Sequence, residues 1–109
     1  MYFGSCIIYF VIKIKARFLH SHRDRIVGLL GKDKAIPVCI KTRYGIHTFG
    51  MRFKLDVLVL DNQSRVVRIK HGLRPNSIFI WPLKYNLVLE LPAGFVAKHK
   101  INIGDQVNI

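Results

Sequence analysis

Three side chains of this chain could together perform general acid and base chemistry: His47, Asp56 and Glu90. Each carboxylate stands inside a run of aliphatic residues, where a charge is costly unless it accepts hydrogen bonds or has a shifted pKa. If both carboxylates converged with His47, the site would hold the groups needed for proton transfer. Their spacing does not require convergence. We therefore favour structural roles, with Asp56 paired with the backbone and Arg52, and Glu90 solvated or paired with a lysine.

A second group of side chains could line an apolar cleft for a small ligand or a sugar, because an aromatic face stacks on such ligands. The candidates are Phe49, Met51, Arg52, Phe53 and Trp81. Large apolar side chains are more often core residues, so packing is the favoured interpretation for the apolar members of this set.

A third possible chemistry is anion binding, since the 109 residues carry a formal net charge of +12. Such a surface attracts polyanions or anionic lipid through a field that salt screens. The candidate residues are Lys13, Lys15, Arg17, Lys41 and Arg43, with Arg52 beside them. Tyr44, next to Arg43, could stack on a base, but no recognised nucleic-acid-binding motif accompanies it. A merely solubilising surface would show the same charge.

Metal and cofactor chemistry has little support in the sequence. His20 and His22 could present two imidazoles on one side of an extended segment, but no third ligand stands nearby, so we predict no metal site and no cofactor. Cys6 and Cys39 lie far apart in apolar surroundings and are predicted to be small core residues. No nucleophile elbow, phosphate-binding glycine loop or paired-histidine zinc helix is present.

The elements that must position these residues are mostly short strands. Polar and apolar residues alternate from Val11 to Phe18, and Leu55–Leu60 is aliphatic on both sides, which predicts a central strand between packed layers. Turn residues after Leu60 predict a hairpin over 54–70. Further strands are predicted over 36–42, 78–81, 87–91 and 101–109, and short helices over 21–31 and 92–98. This composition predicts a mainly β, antiparallel sandwich or barrel in a single domain over residues 1–109.

The apolar start of the chain, Met1 to Ile12, is too short to span a bilayer. It also lacks the positive leader and the small-residue cleavage site of an export signal. We therefore expect a cytoplasmic protein without a transmembrane segment.

Several motifs taken together resemble the domain of unknown function 192 family, a set of small uncharacterised prokaryotic proteins. The resemblance spans residues 25–109, and its central motifs are His47–Phe53 and Leu55–Asp61, with further carriers at 28–32, 88–94 and 103–105. The chain departs from many members at Gly50, where they have Trp, and at Phe53, where an Asn-Thr pair begins. The resemblance implies a two-sheet sandwich of jelly-roll type with two short helices. It implies no activity, and many members carry an export signal.

We therefore expect a non-enzymatic binding or accessory module, with its binding region in the loop and strand from His47 to Asp56. The alternatives are a small enzyme that uses Asp56, Glu90 and His47, and a basic protein that binds polyanions. The sequence does not indicate which ligand or protein partner such a module would bind.

Overall fold

A computed structural model describes residues 11–19 and 35–109 of the chain. The chain is mainly β, as predicted, and the described residues contain one short helix. The predicted helix over 21–31 lies outside the described residues. The elements are β1 (Val11–Lys13), β2 (Arg17–Leu19), β3 (Val38–Lys41), β4 (Gly45–His47), β5 (Leu55–Leu60), β6 (Val66–Leu73), β7 (Ile78–Ile80), β8 (Leu87–Pro92), α1 (Phe95–Lys98) and β9 (Gln106–Asn108).

The strands form one five-stranded sheet and two pairs, and none of these sheets closes into a barrel. The order in the large sheet is β2-β3-β8-β5-β6, and the pairs are β1–β9 and β4–β7. The predicted antiparallel two-sheet sandwich is not confirmed, because β1–β9 and β2–β3 pair in parallel. Alternation within a strand reports which side is buried but not the direction of its neighbour, so the sequence pattern could not reveal these parallel pairs.

Strand β5 is the centre of the fold, as its sequence predicted. All six of its residues are buried, and it lies between β8 and β6 in the large sheet. Successive side chains alternate between two faces. Val57 and Val59 lie on the face that we call the front, and Leu58 and Leu60 lie on the back.

Each face of the large sheet is covered by one of the small pairs. On the front, Ile46 of β4 and Phe79 of β7 pack against the core cluster that contains Val57 and Val59. On the back, the cluster that contains Leu58 and Leu60 includes Ile14, Val96, Ile101 and Val107, which belong to the chain around β1, α1 and β9. The sequence therefore builds three layers, with the large sheet in the middle.

The predicted hairpin after Leu60 is confirmed as β5–β6. Its turn is fixed by Asp61, whose Oδ1 accepts the backbone N–H groups of Gln63 and Arg65 at 2.8 and 2.9 Å. Strand β6 continues beyond the predicted end to Leu73, and the register of the hairpin shifts twice along its length. The second irregularity lies near Gly72, which has a φ of +59° that other residues rarely adopt.

Candidate functional site

The β4–β7 pair, which we call the ribbon, has one face in the core and one face exposed. Ile46 lies opposite Phe79 and points inward, whereas the neighbouring pairs Gly45–Ile80 and His47–Ile78 belong to the outer face. Ile78 and Ile80 are 64% and 70% exposed. Because isoleucine is normally among the most buried residues, two of them side by side on an outer face are the feature to explain.

A shallow cleft of about 250 Å³ lies on this outer face. It is lined by Tyr44, Gly45, Ile46, His47, Phe49, Ile78 and Ile80. Gly45 has no room for a side chain, since a Cβ there would lie 2.4 Å from the Phe79 carbonyl oxygen. Glycine at this position therefore allows β4 and β7 to approach each other closely.

Two rings form one side of the cleft. His47 and Phe49 stack with ring centroids 4.7 Å apart and planes 21° from parallel. The backbone N–H of Phe49 donates to His47 Nδ1 across 3.4 Å, an arrangement that leaves the proton of a neutral imidazole on Nε2. The phenylalanine remains more than half exposed. The pair therefore offers an apolar wall with one polar edge.

Thr48, which is completely buried, fixes the loop that carries Phe49. Its hydroxyl donates to the Arg74 carbonyl at 2.6 Å and accepts the Ser77 N–H at 2.9 Å. Its own carbonyl accepts the Asn76 N–H at 2.9 Å. These bonds of the Thr48 side chain and backbone tie the end of β4 to the connection between β6 and β7. Thr48 belongs to the His47–Phe53 motif but was not among the predicted binding residues.

A second, more polar hollow of about 390 Å³ adjoins the cleft. It is lined by Lys70, Gly72, Leu73, Arg74, Ser77 and Ile78. Ile78 lines both hollows, so the apolar cleft continues directly into a region with two exposed cationic side chains. Sequence reasoning had not proposed Lys70 or Arg74, because they stand in a strand and a loop far from the His47 motif.

Asp56 accepts three backbone hydrogen bonds in the core. Its Oδ1 accepts from Gly72 at 2.9 Å, and its Oδ2 accepts from Gly94 and Val96 at 3.0 Å each. Arg52 is exposed and is not among its partners. Backbone pairing was expected for Asp56, whereas the expected contact with Arg52 is absent from the described residues. A carboxylate enclosed in this way holds elements together and does not face the cleft.

The structure does not bring Asp56 and Glu90 together. Asp56 lies opposite Leu91 and Val57 lies opposite Glu90, so the two carboxylates leave the sheet on opposite faces. Glu90 is completely buried on the front face, so the expectation of a solvated carboxylate was wrong, and His47 is on the ribbon. The three groups therefore do not meet in one open cavity.

The predicted ligand-binding residues divide into three kinds. Met51 and Trp81 are buried core residues, and Phe53 packs against the same core. The Trp81 indole N–H donates to the Tyr85 carbonyl at 2.7 Å, which satisfies its polar end. Arg52 is exposed, and Phe49 alone lines the cleft.

The predicted anion-binding residues are all exposed but do not share one element. Lys13 is on β1, Arg17 on β2 and Lys41 on β3, with Lys15 and Arg43 in the connections. No lysine or arginine of the described residues forms an ion pair with a carboxylate of those residues. Asp61 and Asp105 are instead used by backbone N–H groups in their own turns.

The remaining candidates bear on metals, thiols and membranes. His20, His22 and Cys6 lie outside the described residues, and no group of three metal-ligating side chains occurs within 11–19 and 35–109.

Cys39 is fully buried, as expected. Its burial raises the pKa of its thiol to about 11, against a smaller lowering by Lys41. The one described helix is too short to cross a bilayer.

With this geometry in place, comparison with known proteins gives the family. The model of the domain of unknown function 192 family, described as an uncharacterized ACR, matches residues 12–109, and the chain belongs to this family. A relative is the UPF0127 protein PH1112 of Pyrococcus horikoshii, which is 28% identical over 99 residues that cover 85% of each chain.

Two solved structures share the fold. One is the crystal structure of a protein of unknown function from Novosphingobium aromaticivorans, with a TM-score of 0.72 and 16% identity over 84% of this chain and 71% of that one. The other is that of a proposed transcription regulator from Sinorhizobium meliloti, with a TM-score of 0.72 and 19% identity over 82% of this chain and 76% of that one. At these identities the likeness establishes the fold and no function.

Proposed function

We propose that the protein is a non-enzymatic binding module whose binding region is the outer face of the ribbon. The observation that carries this proposal is the apolar cleft between Phe49, Ile78 and Ile80, which leaves large apolar side chains in solvent. Exposed apolar surface of this kind marks interaction sites in folded proteins. The sequence placed the binding region over the loop and strand from His47 to Asp56. The ribbon includes only the His47 end of that region.

The position of the acidic groups supports binding over catalysis. Asp56 is enclosed by three backbone donors on the back face of the large sheet, and Glu90 leaves the sheet on the front face. A general base must reach the proton that it abstracts, directly or through one water. The lining of the cleft includes His47 but no carboxylate, so the cleft is built to hold apolar groups.

Nuclear magnetic resonance with a panel of small apolar fragments tests this function. We expect amide shifts to concentrate at 44–50 and 77–81 and to disappear in the double variant Ile78→Ser/Ile80→Ser. The matched control is Ile103→Ser, because Ile103 is 65% exposed and stands in the turn before β9. Shifts spread evenly over the surface, or equal loss in the control, would remove the cleft as the binding region.

A second candidate, polyanion binding, is favoured by the formal net charge of +12 and by the exposure of all the predicted anion-binding side chains. It predicts that affinity for single-stranded nucleic acid falls steeply with salt, roughly one power of salt concentration per phosphate contact. Fluorescence anisotropy with a labelled oligonucleotide across a salt series measures that slope. A flat salt dependence would exclude this function.

A further inference from the structure

We propose that the outer face of the ribbon docks on the surface of an anionic lipid bilayer, with Ile78 and Ile80 entering the interface and Lys70 and Arg74 contacting acidic headgroups. This inference rests on the proposed binding function and names its partner. The shape of the ribbon, its exposed side chains and the charge around it support this partner.

The shape of the ribbon suits a flat partner better than a small molecule. Sites for small molecules enclose most of the ligand. The isoleucines beside the cleft are instead about two-thirds exposed. They therefore extend outward instead of closing over a ligand. Side chains placed in this way can enter a soft interface together.

Five of the ten exposed large apolar side chains in the described residues lie on the ribbon or in the segments that flank it, and the other five, Val11, Phe18, Ile36, Ile103 and Ile109, lie elsewhere. Ile78 and Ile80 belong to β7, Tyr44 and Phe49 flank β4, and Leu83 stands in the turn after β7. Tyrosine at such a position keeps its ring in apolar surroundings and its hydroxyl in water, which is the behaviour of aromatic side chains at a bilayer surface. Peripheral proteins bind membranes through shallow burial of such a face combined with attraction to anionic lipids.

The charge around the apolar face has one sign. Lys70 and Arg74 line the hollow that shares Ile78 with the cleft, and Arg43 precedes Tyr44. Neither hollow contains a carboxylate. Each lysine or arginine held near an anionic leaflet strengthens binding about fivefold. Acidic headgroups attract lysine and arginine alike, so a border of three cations suits an anionic bilayer surface.

Vesicle co-sedimentation of the full chain tests the proposal. The probes are phosphatidylcholine vesicles with and without about one-third phosphatidylglycerol, at near-physiological ionic strength. We expect binding to the anionic vesicles, and at least tenfold weaker binding to neutral ones. Salt should weaken the binding progressively, because screening shortens the range of the headgroup field.

Two variants and two matched controls locate the contact. Ile78→Ser/Ile80→Ser and Lys70→Glu/Arg74→Glu should each weaken vesicle binding at least tenfold. The controls are Ile103→Ser, with an equally exposed isoleucine, and Lys98→Glu/Lys100→Glu, with the same change of net charge near α1. Both controls should stay within about threefold of the parent chain. Salt screens the attraction between headgroups and charges that lie more than a Debye length from the contact surface.

The fragment and vesicle experiments can fail independently, so they distinguish the membrane proposal from the proposed binding function. If fragments shift the ribbon resonances but vesicles do not bind, the binding module stands and the membrane proposal fails. If vesicles bind but the control variants lose as much as the ribbon variants, binding is non-specific and the proposal fails again. Thermal melting of every variant establishes that a loss of binding is not a loss of fold. Loss confined to the ribbon variants, with melting unchanged, is the result we expect.

Discussion

At the scale of single residues, Asp56 joins three parts of the chain that are distant in sequence. It stands on β5 and accepts hydrogen bonds from Gly72 on β6 and from Gly94 and Val96 at the start of α1. Both glycines have positive φ, of 59° and 89°, and both donate to this carboxylate. Hydrogen bonds to a charged acceptor are about twice as strong as neutral ones, which offsets the cost of burying the charge.

Replacing Asp56 with alanine should lower the free energy of unfolding by about 3–5 kcal/mol, because three N–H groups, one buried and two partly buried, lose their acceptor. Asp56→Asn should cost less, about 1–3 kcal/mol, because one amide oxygen still accepts. Urea unfolding followed by Trp81 fluorescence measures both. Asp105→Asn, which affects one acceptor in an exposed turn, is the control. An Asp56→Ala variant within about 1 kcal/mol of the parent would contradict this role.

Cys39 supplies a prediction about pH. Burial raises the pKa of its thiol to about 11, so the folded state holds this proton above the pH at which the unfolded chain releases it. The associated stability is present below the ordinary thiol pKa of 9.0 and is lost as pH rises from there toward 11. In a Cys6→Ser background, the difference in unfolding free energy from Cys6→Ser/Cys39→Ala should narrow over that range. If the difference in unfolding free energy did not change with pH, the Cys39 thiol would lose its proton at the same pH in the folded and unfolded states.

At the scale of elements, the ribbon depends on the rest of the molecule. A two-stranded ribbon is marginal alone, and this one is held by Ile46 and Phe79 in the front core. Thr48 attaches one end of the ribbon to the β6–β7 connection. At the other end, the backbone N–H of Trp81 donates to the Tyr44 carbonyl at 2.9 Å. The inner face is fixed, so the outer face keeps a constant shape.

Gly45→Ala should disturb the ribbon specifically. The added Cβ would meet the Phe79 carbonyl oxygen at 2.4 Å and Ile80 Cγ2 at 2.9 Å, so the strands must separate. We expect a loss of about 1–3 kcal/mol in unfolding free energy and displaced amide resonances at 44–50 and 77–81. Gly104→Ala is the control, since its cost comes from its φ of +95° and nothing crowds its Cβ. Unchanged ribbon resonances in Gly45→Ala would refute the close contact.

At the scale of the whole molecule, the charge is unbalanced. The formal net charge is +12, from 18 lysines and arginines against six acidic residues. Self-repulsion of like charges destabilises a folded state, and salt screens it. The surface therefore favours contact with anions and carries a cost in stability when no anion is bound.

Sodium chloride should therefore stabilise the protein. Raising it from low ionic strength to about 0.3 M should increase the unfolding free energy by about 1 kcal/mol, or the melting temperature by roughly 4–8 °C. Calorimetry across a chloride series measures the change. Lys98→Glu/Lys100→Glu lowers the net charge and should show a smaller gain. Stability that falls with added chloride would mean that attractive pairs dominate instead.

Features that depend on neighbouring residues could be predicted from the sequence, whereas features that depend on distant residues could not. Strand β5 was predictable because six consecutive buried residues leave a local pattern, and the β5–β6 turn was predictable from Asp61 and its neighbours. The parallel pairs β1–β9 and β2–β3 were not predictable, since the partners are far apart in sequence. Ile78, Phe79 and Ile80 look alike in sequence, although only Phe79 packs inward.

The amino-acid sequence by itself determined the family, the mainly β composition, the central strand, the burial of Cys39 and the need to satisfy Asp56. These follow from local patterns, because solvation and backbone propensity act on neighbouring residues. Tertiary structure alone decided that Asp56 and Glu90 face opposite sides, that Thr48 ties β4 to the β6–β7 connection, and that Lys70 and Arg74 adjoin Ile78. Those relations depend on strand register and layer order, which bring together residues that no sequence spacing connects.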